Sequence, residues 1–189
     1  SAKEIAKWNV FDKNRISLTD TVRHVHPTIL IGCSAQPGAF SQDLIESMTK
    51  HCNRPIVFPL SNPDDCCEAT PENILHWSQG KALIATGTAF ADVEYHNKLI
   101  KIAQCNIALV FPGIGLEILA VRATKLSKAM IWAAAKTLSE FAPCRKDSAL
   151  PLLPSLDDAQ IVAKHIAVAV AQMAIKEKLA TENQKEALE

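Results

Sequence analysis

The chain has 189 residues, 48% hydrophobic and 21% charged, with 20 basic and 20 acidic side chains that leave no net charge. That length suits one domain of about 100–200 residues, or part of a larger protein. The balanced charge and an aromatic content of 5% argue against a nucleic-acid partner, and no run reaches the roughly 18 uninterrupted apolar residues of a membrane span.

The opening S-A-K-E-I-A-K-W does not read as a signal peptide. Ser17, with Asp20 three residues on, forms a capping-box signal for a first helix. The apolar run T-I-L-I-G (28–32) follows. Ser41 then suits the cap of a helix over 42–51, whose Leu44, Ile45 and Met48 share a face. A second apolar run is P-I-V-F-P-L (55–60). Thr70 suits an N-cap, and Pro71 suits the first position of the next helix. A third run, A-L-I-A (82–85), comes next. A fourth, residues 107–111, is led by Gln104, Cys105 and Asn106 and stopped by Pro112-Gly113. Short continuous apolar runs predict strands buried on both faces, and their alternation with helices predicts a parallel α/β sheet with right-handed crossovers.

Beyond residue 113 the pattern turns helical, with helices expected over 114–124 and 127–141. A loop with Pro143, Pro151 and Pro154 follows. Ser155, Asp157 and Asp158 open a long helix to about residue 178, with Val162, Ile166, Val170 and Met173 on one face. The polar tail, 181–189, is expected to fray. Cys33, Cys52, Cys66, Cys67, Cys105 and Cys144 include no C-x-x-C pair, so neither a disulfide framework nor a zinc pattern is indicated. They read as reduced thiols of a cytoplasmic protein.

Ligands of open α/β sheets bind beyond the carboxyl ends of the strands. Those ends carry G-C-S-A-Q-P-G-A-F-S, S-N-P-D-D and T-G-T-A-F. Small residues let backbone approach a ligand. Asn62 both donates and accepts hydrogen bonds, and Pro63 keeps it out of the helical region. No G-x-G-x-x-G fingerprint occurs. Asp64 and Asp65 read as solvated or capping acids. His24, His26 and His165 read as structural, and Trp8, Trp77 and Trp132 as packing anchors.

Taken in order, P-T-I-L-I-G-C-S-A-Q-P-G-A-F (27–40), R-P-I-V-F-P-L-S-N-P (54–63), E-A-T-P-E-N-I-L-H-W (68–77), A-T-G-T-A-F (85–90) and A-Q-C-N-I-A-L-V-F-P-G-I-G-L (103–116) resemble malic enzyme of the bacterial, NAD-dependent, decarboxylating type. The resemblance covers nearly the whole chain. It implies a partial Rossmann-like parallel sheet with additional C-terminal helices, residues 1–180 forming the second part of the family's NAD-binding domain. Such enzymes oxidise malate with NAD or NADP and decarboxylate the bound oxaloacetate to pyruvate, with Mg or Mn as Lewis acid.

Carried over position by position, the resemblance implies cofactor contacts at Gly32, Cys33, Ser61, Asn62 and Asn106, with Asn62 and Asn106 also facing malate. The family's glycine fingerprint, acidic metal ligands and tyrosine–lysine acid–base pair have no counterpart here. No catalytic or metal residue is therefore expected in the chain, which reads as a fragment without malate turnover of its own. A homo-oligomer is implied for the full-length protein. Ile107 stands where the family pattern has a second asparagine, and Glu117 where it has glycine near a helix start. Ala35 and Ala89 are milder departures. Two other readings accompany the first: a malolactic-type enzyme making lactate, and a degenerate domain that binds dinucleotide or a partner without catalysis.

Overall fold

The computed structural model describes residues 15–147 and 149–181 together with Trp8 and Val10. The local signals of the sequence are followed closely in the first half of the chain. Strands β1 (Ile29–Gly32), β2 (Ile56–Pro59) and β3 (Leu83–Thr86) pair in parallel, Ile29 opposite Ile56 and Ile56 opposite Leu83. The chain divides into two compact units, Ser1–Ile102 and Ala103–Glu189.

In the first unit, helix α1 (Leu18–Val25) starts with the expected capping box. The Asp20 N–H donates to Ser17 Oγ at 3.0 Å, and the Ser17 N–H to Asp20 Oδ2 at 3.1 Å. The Ser17 hydroxyl and backbone bonds hold the Asp20 carboxyl below its ordinary range. Helix α2 (Gln42–His51) forms as expected, but Ser41 makes no side-chain cap. What holds α2 is its face: Leu44, Ile45 and Met48 are fully buried in the core with Leu30, Val57, Ile74 and Ile84. Helix α3 (Pro71–Trp77) is capped by Thr70 Oγ1, which accepts from the Asn73 N–H at 3.3 Å. Trp8 stacks on His24 at 4.8 Å, and Trp77 packs on the core.

Two expectations need correction here. The first strand is not covered on both faces. Leu30 enters the core, but Ile29 and Ile31 are 53% and 59% exposed, because α2 and α3 supply apolar side chains only on the Leu30 side. The sequence reading also passed over a hairpin, β4 (Val93–Tyr95) and β5 (Lys98–Ile100). His96 and Asn97 link its strands with φ of 50° and 58°, the left-handed pair that a two-residue turn between twisted strands needs. Tyr95 fills the space over Gly80, where a Cβ would lie 2.7 Å from its ring.

In the second unit a short strand, β6 (Ala103–Gln104), precedes a 3₁₀ turn, Ile107–Leu109. The expected strand over 107–111 does not form. Asn106 Oδ1 accepts from the Ala108 N–H at 2.9 Å and so starts a turn. Pro112 occupies the first turn of helix α4 (Phe111–Ala120), where its missing N–H is harmless. Ile107 and Phe111 are accordingly 75% and 63% exposed. Gly113 allows close helix packing, since a Cβ there would lie 2.6 Å from the Ala163 carbonyl oxygen.

Helix α5 (Lys128–Glu140) is capped by Ser127, and α6 (Ala159–Lys176) follows a 3₁₀ turn led by Ser155. Val162, Ile166 and Val170 form the expected buried face against Met130 and Ala134, with Met173 at its edge. Trp132 is no anchor: it is 71% exposed on α5. The Thr124 N–H donates to the Leu179 carbonyl at 3.0 Å, and the Thr181 N–H to that of Val121 at 3.1 Å. The fraying expected of residues 182–189 falls outside the described residues. Among the described residues no helix is long and apolar enough to cross a membrane.

Candidate functional site

In the first unit the segments that follow β1 and β2 converge on one carboxylate that the sequence reading missed. Glu68 is fully buried. Its Oε1 accepts from the Ser34 N–H at 2.7 Å, the Ser34 hydroxyl at 3.0 Å and the Ser61 hydroxyl at 2.5 Å. Its Oε2 accepts from the Ser61 N–H at 3.4 Å. Ser61 Oγ in turn accepts from the Ala35 N–H at 2.8 Å. The Glu68 backbone carbonyl accepts from the Phe40 N–H at 3.1 Å. One residue therefore grips the start and the end of the loop over 33–40, and the residue before Asn62 as well.

Burial alone would push the Glu68 carboxyl up. The hydrogen bonds from Ser61, from the Ser34 backbone and hydroxyl, and from its own N–H outweigh it, so the group stays below its ordinary range and ionised. Gly32 makes room for it: a Cβ there would lie 2.6 Å from Glu68 Cδ and 2.7 Å from Phe40 Cζ. Glu68 has no local signature, because Ser34 lies 34 residues before it and Ser61 seven, neither at a spacing that marks a motif. Its only trace was membership of the E-A-T-P-E segment.

Of the expected contacts, Gly32 and Ser61 are buried beneath this rim, while Cys33 and Asn62 are exposed on it. Asn62 lies against the end of β3, where a Cβ on Gly87 would come within 2.6 Å of Asn62 Oδ1. The Thr88 hydroxyl beyond it is buried without a hydrogen-bond partner. Asn106 belongs to the second unit, half-buried, its Oδ1 engaged in the turn before α4. Glu117 is not at a helix start. Because α4 begins at Phe111, Glu117 lies past the first turn, where the helix dipole gives it no support. It is 4% exposed, its Oε1 has no partner, and burial raises its carboxyl above the ordinary range.

The other flagged groups hold structure. Asp64 and Asp65 open an exposed 3₁₀ turn. His24 Nδ1 and His165 Nδ1 lie 2.8 and 2.9 Å from the Asp20 and Ile161 carbonyls, and His26 ends α1 stacked on His51. Burial pushes the Cys66 and Cys67 thiols up, away from the thiolate a nucleophile needs. Among the described residues no group of His, Cys, Asp and Glu side chains is placed to hold a metal ion.

A parallel sheet with flanking helices and a polar rim at its carboxyl ends defines an α/β chain of the Rossmann-like class. The family model "Malic enzyme, NAD binding domain" matches residues 1–175. The chain belongs to that family. It is 48% identical over 176 residues to an NAD-dependent malic enzyme of Shewanella sp. strain MR-4, covering 93% of this chain and 31% of the relative. It is 49% identical over 185 residues to that of Shewanella halifaxensis, covering 98% and 33%. The crystal structure of malic enzyme from Pyrococcus horikoshii superposes with a TM-score of 0.63 at 31% identity, covering 84% of this chain and 32% of that one. The chain thus spans about a third of the length of these relatives.

Proposed function

We propose that the chain supplies the nicotinamide and malate rim of an enzyme that oxidises malate with NAD and releases pyruvate and CO2. The observation that carries this is the exposed Asn62 amide seated against Gly87, at the strand ends of a family member. In this reading Asn62 hydrogen-bonds cofactor and malate, with Cys33 beside it and Gly32 and Ser61 shaping the backbone beneath. NAD, when bound, takes up the hydride. The described side chains do not form a cage for Mg or Mn, so no metal step is assigned to this chain. The acid–base work likewise belongs to other residues of the full-length enzyme.

In that full-length enzyme, Asn62→Ala is expected to lower kcat/KM for malate about ten- to hundredfold, the loss of a hydrogen bond to a charged group. Pyruvate as product supports the decarboxylating reaction, and lactate would replace it with the malolactic one. Unchanged kinetics would overturn the role of Asn62.

One observation favours a second reading, a domain that has lost malate binding. Ile107, at the family's asparagine position, is 75% exposed and offers no hydrogen bond. On that reading Ile107→Asn raises malate turnover about tenfold or more. Ordinary malate turnover before the change would remove this alternative.

A further inference from the structure

The loop over 33–40 is exposed from Cys33 to Gly38, yet both of its ends are fixed. Ser34 is bound by the Glu68 carboxylate and Phe40 by the Glu68 backbone carbonyl. The same carboxylate binds the Ser61 hydroxyl and N–H, and Ser61 Oγ holds the Ala35 N–H. Ser61 directly precedes Asn62. The carboxylate is therefore the shared anchor of two segments, one carrying Cys33 and the other Asn62. It is fully buried and touches no solvent, so it does not meet a ligand itself.

We propose that Glu68 is a positioning residue for cofactor and malate, setting the 33–40 loop and the Asn62 turn against each other through its bonds to Ser34 and Ser61. The proposal rests on the functional reading above. A glutamine side chain has the same shape, but one of its two acceptor oxygens becomes an NH2 donor. The converging donors of Ser34 and Ser61 then face one acceptor and one donor. The charge that strengthens these bonds is gone as well. Small misplacements of binding groups are magnified in affinity and rate, so the effect is expected at the ligands and not only in the fold.

The test uses the full-length enzyme carrying Glu68→Gln, with Ser34→Ala as a milder variant that keeps the charge and the Ser34 backbone donor. Amide hydrogen exchange over residues 33–40 and 60–63 is read beside KM for NAD, KM for malate, and kcat. Glu68→Gln is expected to speed exchange in both segments and to raise both KM values about ten- to hundredfold, the scale of lost bonds to a charged group. The change in kcat is expected to be smaller, as for lost ground-state binding. Ser34→Ala is expected to fall between wild type and Glu68→Gln. Faster exchange with unchanged KM values would overturn the proposal and leave the functional reading standing. Should Glu68→Gln not fold, unchanged KM values in Ser34→Ala overturn it equally. A wild-type enzyme that binds no NAD overturns the functional reading, and the proposal with it.

Discussion

Glu117→Leu is expected to stabilise the second unit by about 1–3 kcal/mol at neutral pH, the scale of an unsatisfied buried polar group. Glu117 lies one turn after Gly113, which packs on Ala163 and Ile166, and one turn before the buried Val121. Its carboxyl therefore shares the face of α4 that meets α6, an interface of Ile166, Val170 and Ala174. Leucine removes the charge and keeps most of the volume.

The pH dependence fixes the sign. The folded carboxyl is raised above its ordinary value of 4.5, so between 4.5 and that raised value the native state holds more protons than the unfolded one. Wild-type stability from this group is greatest on the acid side and falls as pH rises through the folded value. Asp20 and Glu68, both lowered, act in the opposite sense: their contribution is present above their ordinary values and is lost as pH falls through the folded ones. Urea unfolding of wild type and variant across pH separates the two, because the Asp20 and Glu68 parts cancel in the difference and only the Glu117 part remains. The gain from leucine is expected to shrink on acidification. A destabilised variant at neutral pH would mean that the carboxylate is held by something its apolar surroundings do not show.

Gly87→Ala is expected to be damaging at the rim. The new Cβ would lie 2.2 Å from the Leu60 carbonyl oxygen and 2.6 Å from Asn62 Oδ1. The first neighbour is backbone and cannot rotate away, so β2 and β3 must separate at their ends. Overpacking of this kind costs about 1–3 kcal/mol or more. The second neighbour is the side chain proposed to meet the ligands. Urea unfolding should show the stability loss, and kcat/KM of the full-length enzyme should fall about a hundredfold from a displacement near 1 Å. A stable variant with normal kinetics would show that Asn62 can leave Gly87 without consequence.

What was legible in the sequence was mostly local. Ser17 with Asp20 and Thr70 with Pro71 act through neighbours a turn away, and both caps formed. The three parallel strands were marked by apolar runs between helices. Residues 107–111 misled because a short apolar run suits a strand or a helix entrance equally. Asn106 as a cap and Pro112 in the first turn were the signals that decided it. The hairpin at His96-Asn97 was also written locally, in V-E-Y-H-N-K-L-I, and was simply weaker than its surroundings. At the rim, Asn62 could be found from its place after an apolar run and before proline. Glu68 could not: its partners Ser34 and Ser61 are brought to it only by the sheet, and no spacing announces a carboxylate that binds the protein's own loops.

The backbone bonds from Thr124 to Leu179 and from Thr181 to Val121 have a topological meaning as well. They bring the entrance and the exit of everything between residues 121 and 181 to one spot. The stretch is a closed ring, with α5 and α6 as its two arms and the proline-bearing loop between them as its far side. A ring sutured at its base accepts a cut elsewhere, because the contacts that define its core do not depend on where the chain is continuous. The second unit is in that sense permutable: its helices could be joined across the suture and opened at the loop, and the same apolar faces would still meet.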